Sequence, residues 1–145
     1  MPSLRYPIAD MHVFPLGRQG GALTLLGNSD HLLRRFGRLD VVDIAAGEQK
    51  GPTIRAEADR FLFPIGGEVN IQLLDLRGQS PSRGARLDLN LRADVPEGLL
   101  VPFGVALTVR AAVDARLVLL STHSEDHPQD RVPGVDELNS FAGVQ

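Results

Sequence analysis

Short apolar segments of about strand length alternate with turn-forming residues along the whole chain. In Glu68–Asp75, Val69, Ile71 and Leu73 alternate with Asn70 and Gln72, so a strand there puts its apolar side chains on one face. Arg86–Arg92 repeats the pattern, with Leu87, Leu89 and Leu91 facing one way and Arg86, Asp88, Asn90 and Arg92 the other. Residues 22–26, 39–44, 61–63, 99–101, Val105–Arg110 and 116–120 are further predicted strands. No segment with a helical period exceeds three turns.

Turn signals separate these segments. Gly66-Gly67 supplies cheap positive φ between two strands. Gly78, Ser80, Pro81 and Gly84 give 77–84 the composition of a loop, and Pro96-Glu97-Gly98 reads as a tight turn. Val113-Asp114 is expected to turn another hairpin. After Ser121 the alternation stops, and 123–134 is polar with prolines, as a surface segment is. Residues 135–141 are expected to form one short helix. No repeat or domain linker interrupts the chain, so residues 1–145 read as a single all-β domain, a sandwich or barrel.

Composition agrees with one packed core. The chain has 145 residues, 43% of them hydrophobic and 23% charged, and a net charge of −3. Cysteine is absent, which excludes disulfides, thiolate metal sites and a cysteine nucleophile and suits a cytoplasmic location. The first ten residues hold no apolar run that serves as a secretory segment, and no stretch approaches a membrane span. Fourteen Arg and one Lys, Lys50, are scattered among acidic residues, the densest group being Arg34, Arg35 and Arg38. With no basic stripe and no interleaved aromatics, nucleic acid is not an expected partner.

The candidate chemistry lies in a spacing. Gly47, five residues, Thr53-Ile-Arg55, three residues, Asp59, six residues, Gly66 is followed by a Pro102-Phe103-Gly104 turn and Leu107. This spacing resembles the two motifs of the cupins, whose fold is a double-stranded β-helix, or jelly-roll barrel. In cupins three His and a Glu bind a divalent metal inside the barrel. Here those places hold Thr53, Arg55, Asp59 and Leu107, so a metal is not expected and no cofactor is implied.

Longer stretches make the resemblance narrower. His12-Val-Phe-Pro-Leu16 with Gly20-Gly-Ala-Leu23, then 36–44, 67–75, 97–102 and 117–121, resemble the cupins that act on dTDP-linked keto-deoxysugars, the 3,4-ketoisomerases and 3,5-epimerases. Asp75-Leu-Arg77 and Ser80-Pro81 resemble the epimerase side of that group. The resemblance implies a homodimer paired through its sheets, a nucleotide-sugar ligand and a reaction that moves a proton beside a ketone. Such a reaction needs a base near that carbon and a donor near the enolate oxygen. Those enzymes carry Arg-Gly-x-His with a second His two residues on in the ketoisomerases, and the epimerases add a Tyr. In this chain the segment is Arg55-Ala-Glu57-Ala58-Asp59-Arg60, with Ala58 and Arg60 at the His positions, and the sole Tyr is Tyr6.

Each candidate then has two readings. Arg55 either holds a diphosphate through its planar fork or lies outward in a surface ion pair. Glu57 and Asp59 share a strand face and could supply a substitute base, or they are solvated and pair with Arg55 or Arg60. Arg60, Gln72 and Arg110 are the remaining candidate substrate contacts; Gln72 requires an inward register, and Arg110 otherwise simply ends its strand. His123, Glu125, Asp126 and His127 are crowded enough for a surface metal, and as a loop need none. His12 and His31 are isolated and read as structural or solvated. Two functions remain: a metal-free isomerase or epimerase of a dTDP-linked keto-deoxysugar, weak or altered in activity, or a non-catalytic cupin serving ligand binding or assembly. The lumen discriminates between them. Converging polar side chains leave a binding site, whereas Leu107, Val109 and their neighbours filling the space leave none.

Overall fold

In the computed structural model residues 8–19, 22–24, 36–95 and 97–139 are described. The Gly20-Gly21 turn, the end of the strand expected over 22–26, Tyr6, His31, Arg34, Arg35, Pro96 and the helix end at Phe141 lie outside them. The described elements are β1 (His12–Pro15), β2 (Gly17–Gln19), β3 (Ala22–Thr24), β4 (Arg38–Ile44), β5 (Gln49–Thr53), β6 (Arg60–Gly66), β7 (Glu68–Asp75), β8 (Arg86–Arg92), β9 (Glu97–Val101), β10 (Val105–Arg110), β11 (Ala115–Ser121) and α1 (Val135–Asn139). The strand pairs in the two larger sheets are all antiparallel. One sheet runs β1-β9-β6-β11-β4 and the other β5-β10-β7-β8, with β2 and β3 pairing as a separate ribbon.

The period-2 pattern decides what lies between the sheets. Val69, Ile71 and Leu73 of β7 meet Leu107 and Val109 of β10, Leu62 of β6 and Leu117 of β11 in one buried cluster. Ile8 and Met11, ahead of β1, belong to the same cluster. The opposite face of the five-stranded sheet is also covered, because Phe61, Phe63, Val118 and Leu120 pack with Leu16 in a second cluster. Strand β6 is therefore buried on both faces, which explains its run Phe61-Leu62-Phe63 without alternation. Gly98 fits here because a Cβ would stand 2.5 Å from the Phe61 ring.

Strand β5 is the element the sequence does not announce. Gln49-Lys-Gly-Pro-Thr53 has no alternation and sits at a sheet edge, where a proline costs no ladder bond. Gly51 has φ of +94°, and a Cβ there would lie 2.4 Å from the Leu107 carbonyl oxygen. At the other sheet's edge, β4 exposes Leu39 and Val41 on its outer face.

A buried polar knot fastens the chain's first described residues to the 76–84 loop. Asp75 is fully buried. Its carboxylate accepts from the Arg77 backbone N–H at 3.0 Å and Nε at 3.0 Å, and from the Ser80 and Ser82 hydroxyls at 2.6 and 2.5 Å. Arg77 also donates to the Ala9 carbonyl at 2.8 Å, and the Ala9 N–H donates to Ser82 Oγ at 2.8 Å. Burial opposes ionisation of Asp75, yet the hydrogen bonds from Arg77, Ser80 and Ser82 outweigh it and hold its pKa at about 2.

Candidate functional site

The segment between β5 and β6 carries three of the six candidate residues, Arg55, Glu57 and Asp59, and Arg60 opens β6 directly after it. Ile54 forms an isolated antiparallel bridge with Arg131, which draws the 123–131 segment alongside. Asp130 fixes the junction by accepting the Ala56 N–H at 2.7 Å and the His127 N–H at 2.9 Å. Burial raises the Asp130 pKa, but those two backbone donors and the nearby Arg55 more than offset it, so it is held below the usual carboxylate range. Arg55 takes Asp126 at 2.9 Å and Asp130 at 3.4 Å as ion partners. Its Nε is buried with no hydrogen-bond partner.

Asp59 serves as a joint. Its Oδ1 accepts the Phe103 N–H at 2.9 Å, and its own N–H donates to Thr122 Oγ1 at 2.9 Å. The Arg55 carbonyl accepts the Gly104 N–H at 2.8 Å, so the Pro102-Phe103-Gly104 turn is pinned to the candidate segment from both sides. Glu57 points elsewhere, toward His127 Nε2 at 3.4 Å and His123 Nε2 at 3.9 Å, beside a polar cavity of about 240 Å³ lined also by Asp126 and Asp130. His127 Nδ1 accepts the Gln129 N–H at 3.0 Å, which leaves the ring hydrogen on Nε2 and removes that nitrogen's lone pair from ligand duty. Among the described residues no group of three or more His, Asp or Glu is placed to hold a metal ion.

Arg60 is the residue that enters the interior. It is 4% exposed, at the head of β6. Its Nη1 donates to Thr53 Oγ1 at 2.9 Å, and its Nη2 donates to the Thr53 and Val105 carbonyls, both at 3.2 Å. Its Nε is buried with no acceptor. Burial and the charge of Arg55, partly offset by Asp130, lower its pKa to about 10, so it remains a cation at neutral pH. It lines a cavity of about 120 Å³ between the β4 and β5 edges, with Val42, Ile44, Leu107, Val109, Leu117 and Leu119 as apolar walls and Lys50, Gly51 and Thr53 along β5. Thr53 and Leu107 are register partners on β5 and β10, so a guanidinium adjoins two of the places at which the cupin motif holds metal ligands. A positive group beside a threonine and a leucine does not fit a divalent cation.

The structure thus brings Arg55, Asp59 and Arg60 to one region and leaves Gln72 and Arg110 on another face. Gln72 Nε2 donates to Asp88 at 3.3 Å and Arg110 Nε to Gln49 at 2.7 Å, both on the solvated side of the four-stranded sheet. The register that buries Val69, Ile71 and Leu73 turns Gln72 outward. Sequence reasoning missed Lys50, which lines the interior cavity, and Asp130, which organises the loop. The signal for Lys50 was absent because β5 lacks a readable period. Asp130 sits three residues after His127, a capping distance.

No protein-family model matches the chain. In sequence, 88 residues are 30% identical to the ribosomal RNA small subunit methyltransferase H of Cereibacter sphaeroides strain KD131, covering 59% of this chain and 27% of that protein. The chain spans about a quarter of the length of these curated relatives. In structure, the dTDP sugar isomerase of Desulfovibrio desulfuricans G20 superposes with a TM-score of 0.83 at 18% identity, over 99% of this chain and 98% of that one. The dTDP-4-dehydrorhamnose 3,5-epimerase of Elizabethkingia anophelis gives 0.80 at 14% identity over 92% and 80%. That of Sulfolobus tokodaii gives 0.79 at 17% over 94% and 85%. The fold is therefore the cupin jelly roll of the dTDP-sugar isomerases and epimerases, as the motif spacing implied. Among the described residues no helix is long and apolar enough to cross a membrane.

Proposed function

We propose that this chain is a non-catalytic member of the dTDP-sugar isomerase fold, its interior kept for binding a small anion. The observation that carries this reading is the composition of the lumen. Leu107, Val109 and Leu117 wall it with hydrocarbon, and among the described residues the ionised groups on its lining, Arg60 and Lys50, are both cations. Proton abstraction beside a ketone needs a base at the reacting carbon. Glu57 faces the two histidines, and Asp59 is occupied by a backbone N–H. A cavity of about 120 Å³ is also smaller than the roughly 300 Å³ at which pockets for larger ligands begin, so it does not enclose a whole nucleotide sugar.

Proton exchange tests the reading. Incubated with dTDP-4-keto-6-deoxyglucose in D2O, the protein is expected to leave the sugar's C3 and C5 hydrogens exchanging at the rate of a buffer blank. Protein-dependent deuterium uptake would favour the isomerase reading instead, with Glu57 or Asp59 as base. That alternative draws support from a structural likeness spanning the whole chain.

A homodimer belongs to the same proposal. Among the described residues strand β4 pairs on one side only, with β11, and it exposes Leu39 and Val41. A second copy laid on its other side pairs that edge and covers both side chains. Sedimentation is expected to give a dimer for the parent chain and a monomer for Val41→Arg; a monomeric parent sinks the idea.

A further inference from the structure

Arg60 poses a problem that stability does not solve. Its guanidinium is buried, and its three hydrogen bonds go to uncharged oxygens, the Thr53 hydroxyl and two carbonyls. Its Nε–H is buried with no acceptor at all. A buried cation in this state is costly, and an apolar side chain of the same length fills such a space at lower cost. The acids of the region are engaged elsewhere, Asp130 and Asp126 on Arg55 and Asp59 on the Phe103 N–H. Among the described residues Arg60 therefore has no anionic partner, and an anion from outside would supply one.

The walls say which kind. Six aliphatic side chains, Val42, Ile44, Leu107, Val109, Leu117 and Leu119, surround the cavity. A bare phosphate would be left against hydrocarbon on most of its surface, with its remaining oxygens unbonded. A group with a single anionic head and an apolar body meets the guanidinium with one end and the leucines with the other. An apolar cavity of about 150 Å³ accepts benzene, so 120 Å³ suits a tail of about four or five carbons. Lys50 adds a second positive charge on the same cavity lining, with its side chain 46% exposed and paired to Glu48.

We propose that the cavity between β4 and β5 binds a short apolar monocarboxylate, its carboxylate beside the Arg60 guanidinium and its tail among the β4, β10 and β11 side chains. This rests on the non-catalytic reading above and supplies its ligand class. The probes are valerate and isovalerate, each against its neutral alcohol, with inorganic phosphate and dTDP as further arms. Calorimetric titration of the parent chain is expected to show each acid binding at least about tenfold tighter than its alcohol, the difference a charge-assisted hydrogen bond makes. The acids are expected to raise the melting temperature, and Arg60→Met to lose the preference while keeping a melting temperature no lower than the parent's. Equal binding of acid and alcohol, binding of phosphate or dTDP but of neither acid, or full retention of the preference in Arg60→Met would each overturn the proposal. The acid–alcohol pair needs no variant, so the test survives if Arg60→Met fails to fold. Deuterium uptake by the keto-sugar would strike the non-catalytic reading, whereas loss of the acid preference strikes only the ligand class.

Discussion

Asp75→Ala is expected to lower the unfolding free energy by about 3–5 kcal/mol, the cost of breaking a buried ion pair by removing one partner. The carboxylate is fully buried and gathers the Arg77 guanidinium and the Ser80 and Ser82 hydroxyls. Removing it leaves a cation and two hydroxyls facing a hole, and it loosens the hold of Arg77 on Ala9 and Asp10. Denaturant titration reads the effect as a lower midpoint at unchanged slope; a loss under about 1 kcal/mol would mean that the knot stabilises little. The same group sets an acid limit. Its folded pKa of about 2 lies below the ordinary 3.8, so its contribution is complete above pH 4 and disappears as pH falls toward 2. In Asp75→Ala the stability profile is expected to be flatter across that window.

Phe61→Ala is expected to cost about 3–5 kcal/mol, the range for deleting a buried phenyl ring. Phe61 is fully buried on the outer side of β6, with its ring 5.7 Å from that of Phe63. The ring also forbids a side chain at Gly98, where a Cβ would stand 2.5 Å from its edge. Gly98→Ala alone is expected to cost about 1–3 kcal/mol by overpacking. In the Phe61→Ala background that second cost should largely vanish, because the obstructing atoms are gone. Additive losses would show that Gly98 is required by the backbone rather than by the ring.

These two positions also mark where the sequence is legible. Strands β7 and β8 were readable to the residue, because one face of each is buried and the other solvated. Strand β6 was readable only in part, since burial on both faces removes the alternation and Phe61, Leu62 and Phe63 look alike. Strand β5 was not legible, because Lys50, Gly51 and Pro52 carry no strand pattern and only the pairing with β10 places them. The site divided in the same way. The motif spacing located Arg55, Asp59 and Arg60 in one segment, but which of them enters the lumen depends on Arg60 standing in phase with Leu62. The outward placement of Gln72 followed from the register of Val69, Ile71 and Leu73. The knot at Asp75 read only as a loop, because a turn-rich composition does not say which carboxylate its serines will meet.

The order of the sheets bears on how the molecule is made. Strand β1 pairs with β9, β5 with β10, and β4 with β11, so three early strands each find a partner in the last third of the fold. On the ribosome these strands must wait, with Ile44, Ile8 and Met11 wet, until residues as late as 115–121 have been translated. Neither of the two larger sheets closes from the first half of the chain alone, and both await strands of the last third.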